Sequence, residues 1–139
     1  MKTIAYYISD YGYGHATRSI AIIRKLLEIE REVRIIICHS FAMEFIKQSL
    51  PSNRISFRIL HTDVGYILKD DSIKPDKDGL LNEYLEFTQA WGDKVEKEKL
   101  FIFDNKVDLV ISDISPLAFE AADSLGIPSV GVSNFTWYT

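Results

Sequence analysis

The sequence predicts an α/β domain in which a doubly wound parallel sheet lies between two layers of helices. Three observations predict it. Five short runs rich in Ile, Val and Phe ("TIAYYIS", "VRIIIC", "ISFRIL", "VDLVIS" and "PSVGVS") are continuous in their apolar character rather than alternating, as strands buried on both faces must be. A helical pattern follows each of the first four runs. Strand and helix alternating in this way imply right-handed crossovers, and the expected strand order is 3-2-1-4-5, a Rossmann-like three-layer arrangement.

The elements follow in order. After the first run, Ala16, Ile20, Ile23 and Leu27 stand at i, i+4, i+7 and i+11, while Arg24, Lys25, Glu28 and Arg31 fall on the opposite side; this predicts an amphipathic helix beginning near His15. The second run leads into "SFAMEFIKQSL", with Ser40 as N-cap and Pro51 as terminator. A long polar stretch from Thr62 to Gly79 follows the third run, then a helix expected over Leu80 to Asp104, weakened locally by Gly92. The last helix is capped by Ser115, carries Pro116 at its first position and is closed by Gly126 and Pro128.

The 139 residues make one domain, residues 1–139, long enough to remove roughly two thirds of the unfolded surface from water. A net charge of −4 leaves no basic footprint for nucleic acid, so that partner is not expected. The single cysteine, Cys38, lies inside an apolar run, which argues for a reducing, cytoplasmic setting. No secretory cleavage pattern follows the first run, and no run approaches the roughly 20 apolar residues that span a bilayer. The sequence ends on "NFTWYT" directly after a strand-like run without a closing helix, and a further C-terminal domain is expected beyond it.

Polar residues gather just after the strand ends: Ser9, Asp10 and His15; His39; His61 and Asp63; Ser112 and Asp113; Ser133 and Asn134. In open sheets of this kind ligands bind at that edge, where the strand order reverses, here between the first and fourth strands. The loops bearing His15 and Asp113 therefore flank the expected crevice. Neighbouring strands are about 4.8 Å apart, close enough for a His–Asp pair in which the carboxylate fixes the tautomer and the other ring nitrogen serves as a base. The alternative is that His15 only caps its helix and Asp113 only ends its strand.

"SDYGYGHATRS" adds a seat for an anion. Gly12 and Gly14 let backbone amides approach a ligand, and the following helix N-terminus favours negative charge, most simply phosphate. Thr17 and Arg18 in the first turn can add contacts to it. Tyr11 and Tyr13 either wall the pocket or pack. Tyr66, Ile67 and Leu68 of the long loop either touch an apolar acceptor or cover the core.

Several named sites are excluded. "GYGHAT" lacks the third glycine of a dinucleotide fingerprint, and "IIICHS" supplies no acidic residue for a ribose. There is no G-K-[ST] of a P-loop, and His15, His39 and His61 follow three different strands without metal-ligand spacing. Asp76-Lys77-Asp78 spells D-x-D but sits after Pro75 among lysines, the setting of a solvated loop. No metal site is expected.

"SDYGYGHATRSIAIIRKL" together with "VDLVISDISPLAFEAADSLGIPSVGVSNFTW" resembles the N-terminal domain of GT-B glycosyltransferases, over nearly the whole chain. The likeness extends to the transferase that adds N-acetylglucosamine to lipid-linked muramyl peptide and to UDP-glycosyltransferases. It implies an acceptor-binding half that works without cofactor or metal. A nucleotide sugar is the donor, held mainly by a C-terminal domain in cis, and the acceptor offers a hydroxyl and is in some relatives lipid-linked, which would bring the domain to the inner membrane face. By the same resemblance His15 is the general base, Asp113 orients it, the loop of Gly12 and Gly14 faces the acceptor and the donor phosphates, and Ser133 and Asn134 line the acceptor side. The muramyl-peptide enzymes carry a more glycine-rich loop, whereas tyrosines stand between the glycines here. Similar domains also occur fused to sugar kinases. The remaining alternative is a non-catalytic, flavodoxin-like domain that binds a phosphorylated ligand.

Overall fold

A computed structural model describes residues 1–64 and 67–134. Its elements run β1 (Lys2–Ile8), α1 (Gly12–Ile29), β2 (Val33–His39), α2 (Met43–Ser49), β3 (Ile55–Ile59), α3 (Lys77–Gln89), α4 (Trp91–Asp104), β4 (Leu109–Asp113), α5 (Pro116–Ser124) and β5 (Ser129–Val132). All strand pairs are parallel and the order is β3-β2-β1-β4-β5, as the alternation of elements predicts.

The pleat divides the core. Ile4, Tyr6 and Ile8 of β1 and Ile35 and Ile37 of β2 pack with Ala16, Ile20 and Ile23 of α1 and Ile46 of α2 on one face. Ala5, Tyr7, Ile36 and Cys38 point the other way, to Ile102 of α4 and Ala118 and Ala121 of α5. Burial raises the Cys38 thiol to about 12, so it is a packing residue rather than a nucleophile. On that second face Arg58 of β3 reaches both carboxylate oxygens of Glu98 on α4 at 2.7 Å while its guanidinium lies 4.0 Å over the Phe101 ring.

Three helix boundaries differ from the sequence expectation. The first helix begins at Gly12, three residues before His15, because Gly12 takes a φ of +67° and turns the chain into the helix at once. The second begins at Met43 rather than at a Ser40 cap, since Ser40 turns its amide and hydroxyl to the Asp10 carboxylate. The long helix over Leu80 to Asp104 is two helices that part at Ala90, where Phe87 packs on Trp91 and the Trp91 indole donates to Glu120 of α5. Asp76 is the cap of α3, accepting from Gly79 N at 3.0 Å, and a Cβ at Gly79 would collide with that carboxylate. Both carboxylates of the D-x-D sequence thus serve the start of a helix. Among the described residues no cluster of His, Cys, Asp and Glu is placed to hold a metal ion, and no helix is long and apolar enough to cross a membrane.

Candidate functional site

The site lies where β1 and β4 end side by side. β1 pairs with β4 through Ile8 and Asp113, and Ser9 N donates to the Asp113 carbonyl at 3.2 Å, so the loops after the two strands leave the sheet together. α1 starts in the first of these loops. His15, Arg18 and Ser19 stand at i, i+3 and i+4 on that helix and therefore share one face, which looks across to β4.

All three converge on Asp113. His15 Nδ1 is 2.8 Å from Oδ1; Arg18 donates from Nε to Oδ2 at 3.0 Å and from Nη2 to Oδ1 at 2.7 Å; Ser19 Oγ donates to Oδ2 at 3.2 Å. The carboxylate is fully buried, whereas the imidazole is about one quarter exposed. A buried carboxylate on Nδ1 selects the Nδ1–H tautomer and leaves the lone pair on Nε2. Arg18 compensates the buried charge, as burial of a carboxylate requires, and its hydrogen bonds to Asp113 push the guanidinium still further up. Its remaining arm, Nη1, donates to the side-chain oxygen of Asn134.

The backbone after Asp113 is strained. Ile114 is β-branched yet takes a φ of +54°, a conformation that costs on the order of 1–3 kcal/mol. That turn lets Ser115 N return to Ser112 Oγ at 3.0 Å and sends the Ser115 hydroxyl to the Thr62 carbonyl at 2.8 Å. Ser115 therefore starts α5 without capping it through its side chain.

The expected residues divide clearly. His15, Asp113, Arg18 and Asn134 form one connected group. Gly12 has the left-handed φ expected of it, whereas Gly14 lies in the first turn of α1 with ordinary helical geometry. Neither a capping side chain nor an acidic residue occupies that first turn. Thr17 turns its hydroxyl back to the Tyr13 carbonyl at 2.7 Å. Ser133 is exposed beside Asn134. Tyr13 packs edge-on against Phe41 and Phe45 of the neighbouring segment, with centroids 5.4 and 5.5 Å away. Ile67 lines a cleft and Leu68 is exposed, while Tyr66 lies outside the described residues. The residue that the sequence reading missed is Ser19; its i+4 spacing from His15 was the available signal.

The other strand-end residues are placed just as firmly. His39 is wholly buried, donating from Nδ1 to the Ile8 carbonyl at 3.0 Å and accepting at Nε2 from Ala42 N at 2.9 Å, with Asp10 Oδ1 3.3 Å from Nδ1, so both ring nitrogens are committed inside the fold. Asp63 accepts from the Ser9 hydroxyl at 2.6 Å and from Asp10 N at 2.9 Å, and burial pushes its carboxyl up.

The family model for glycosyl transferase family 1 matches residues 2–138. The chain belongs to that family. Similarity extends to an L-arabinokinase of Arabidopsis thaliana, 33% identical over 135 residues, which are 96% of this chain and 13% of the kinase. Among solved structures, a UGT transferase from Siraitia grosvenorii in complex with UDP superposes with a TM-score of 0.61 at 13% identity, covering 96% of this chain and 28% of that one. MurG of Acinetobacter baumannii superposes with a TM-score of 0.56 at 16% identity, covering 94% and 35% respectively. This family member thus spans about a third or less of the length of these relatives.

Proposed function

We propose that the chain is the acceptor-side domain of an inverting, metal-independent glycosyltransferase that uses a nucleotide sugar as donor. The observation that carries this reading is the 2.8 Å contact between His15 Nδ1 and the buried Asp113 carboxylate, set at the uncapped start of α1. His15 Nε2 takes the proton of an acceptor hydroxyl as the oxygen attacks the anomeric carbon. The new C–O bond forms on the face opposite the bond to phosphate, which breaks, and the nucleotide leaves with the electron pair. The Gly12 turn and the first-turn amides of α1, with Gly14 among them, face the phosphate charge. Family membership and the UDP-bound structural neighbour support the reading.

Arg18 acts through Asp113 in this scheme. Its guanidinium is committed to that carboxylate and to Asn134, so it is a positioning residue rather than a phosphate ligand. Thr17 keeps the turn closed through its bond to Tyr13, and Ser133 with Asn134 borders the acceptor side. A donor-binding domain in cis completes the site. The reaction belongs to the cytoplasm, at a membrane face if the acceptor is lipid-linked.

The test is His15→Ala in the full-length protein. Loss of about 10²–10⁴ in transfer rate is expected of a missing general base, and turnover of a nucleotide sugar within a few-fold of the unaltered protein would remove the assignment. A second reading is favoured by the match to L-arabinokinase: the same domain fused to a sugar kinase, holding a phosphorylated ligand without transfer. Nucleotide binding with no sugar transfer in the presence of acceptors would support that reading instead.

A further inference from the structure

Ser19 is the one partner of Asp113 to which the reaction scheme gives no task. The carboxylate is fully buried, and each of its oxygens has two partners. Oδ1 lies 2.8 Å from His15 Nδ1 and accepts from Arg18 Nη2 at 2.7 Å, while Oδ2 accepts from Arg18 Nε at 3.0 Å and from the Ser19 hydroxyl at 3.2 Å. An ionised carboxylate offers about four lone-pair sites, so this one is filled. Ser19 is itself wholly buried and touches no substrate.

The terminal torsion of an aspartate is soft, so the plane of the carboxylate is set by what binds it. Arg18 reaches Asp113 on a long side chain that is 28% exposed, and its fork can swing together with the carboxylate it grips. Ser19 reaches it on a single short bond from the buried face of α1. Its hydrogen bond ties Oδ2 to the helix that carries His15 one turn earlier, and so fixes the angle at which Oδ1 meets the ring. A second hydroxyl in the same pocket makes no such tie. Tyr6 pairs with Ile111 and Ile8 with Asp113, which puts Tyr6 on the face of the sheet that Asp113 shares, two residues along. The Tyr6 hydroxyl is buried without a hydrogen-bond partner among the described residues.

We propose that Ser19 is a positioning residue for the His15 base: through Oδ2 it fixes the plane of the Asp113 carboxylate, and through that plane the direction in which the His15 ring faces an acceptor hydroxyl. The kinetic consequence rests on the transferase reading above. The effect of Ser19 on the ring itself does not, because it needs no substrate.

The test reads the His15 ring directly, in the full chain with its three histidines labelled with ¹⁵N. Ser19→Ala is expected to move the His15 ring signals and to leave those of the buried His39 in place. Alanine is the better helix former, so α1 persists. Tyr6→Phe, which removes the neighbouring hydroxyl without touching Asp113, is expected to move the His15 signals clearly less. Unmoved His15 signals in Ser19→Ala, or an equal movement in Tyr6→Phe, would overturn the proposal, because the pocket rather than the hydrogen bond would then set the ring. In the full-length enzyme turning over UDP-glucose or UDP-N-acetylglucosamine, Ser19→Ala should lower kcat about tenfold, the loss of a hydrogen bond to a charged group, and leave KM for the nucleotide sugar within about twofold. A raised KM with kcat unchanged would equally overturn it. A rate lost in His15→Ala and kept in Ser19→Ala would sink only the role of Ser19, whereas a rate kept in His15→Ala would sink the base assignment and with it the kinetic half of this proposal.

Discussion

Replacing Arg58 by Met removes the counter-charge of a carboxylate that the fold has taken out of water. Glu98 is about 1% exposed, with both oxygens 2.7 Å from the guanidinium, and the Arg58 side chain is itself about one quarter exposed. Breaking such a pair from one side costs about 3–5 kcal/mol, and the partial exposure of Arg58 puts the expectation near the lower end. The loss depends on pH in a direction that the structure fixes. Burial pushes the Glu98 carboxyl up, and Arg58 pulls it back down; without Arg58 it rises further. A carboxyl whose folded value is raised binds its proton more tightly when folded, so stability is lost as pH rises from the ordinary carboxylate range through that raised value. The Arg58→Met penalty should thus be small at about pH 5 and full at about pH 8. Urea unfolding followed by circular dichroism at both pH values measures it, and adding Glu98→Leu should restore most of the loss because the unpaired charge is then gone. Equal penalties at the two pH values, or a penalty below about 1 kcal/mol at the higher one, would refute the claim that Glu98 is a desolvated charge held by Arg58.

Two further predictions concern other buried groups. Cys38, raised to about 12 by burial, should resist thiol reagents in the native protein at mildly alkaline pH and react fully in denaturant; native labelling at the denatured rate would show the β2 interior to be open. Asp63, whose carboxyl burial raises, should make stability decline as pH rises above the ordinary carboxylate range. Asp63→Asn should flatten that decline in urea midpoints measured across the acid range, and parallel profiles for the two proteins would show that Asp63 carries no such penalty.

The strands and their order were legible because burial on both faces demands continuous apolar runs, and right-handed crossovers leave few ways to connect them. The stripe of Ala16, Ile20, Ile23 and Leu27 likewise fixed the inner face of α1, which packs as expected. Helix ends were less legible. Two glycines ahead of His15 lower helix propensity by about 1 kcal/mol each, yet α1 includes both because its first turn is anchored by the Asp113 contacts rather than by local preference. The break at Ala90 arises from Trp91 reaching Glu120 across sequence, which no window around Gly92 contains. Asp113 and His15 could be paired from topology alone. The Asp10 node could not, since its donors come from Ser40, Phe41 and Thr62 on two loops that no motif links. The left-handed Ile114 is opposite to what a β-branched side chain suggests.

The two buried carboxylates, Asp113 and Asp10, are held differently. Asp113 carries a guanidinium in bidentate contact, so its charge is already compensated before His15 is counted. What it gives His15 is direction, with Arg18 Nη2 bound to the same carboxylate oxygen and 3.2 Å from His15 Nδ1. Asp10 receives three backbone amides and a hydroxyl, with the His39 and His61 rings 3.3 and 3.1 Å away and no Lys or Arg among its hydrogen-bonded donors in the described residues. Its negative charge is therefore spread over dipoles of the loops after β2 and β3, and it ties those two loops to the one after β1. A neutralised Asp–Arg pair behind a partly exposed imidazole suits the proton removal proposed for His15. One edge of one sheet thus carries two buried carboxylates on either side of the Gly12 turn, one neutralised by a guanidinium and one held by loop amides.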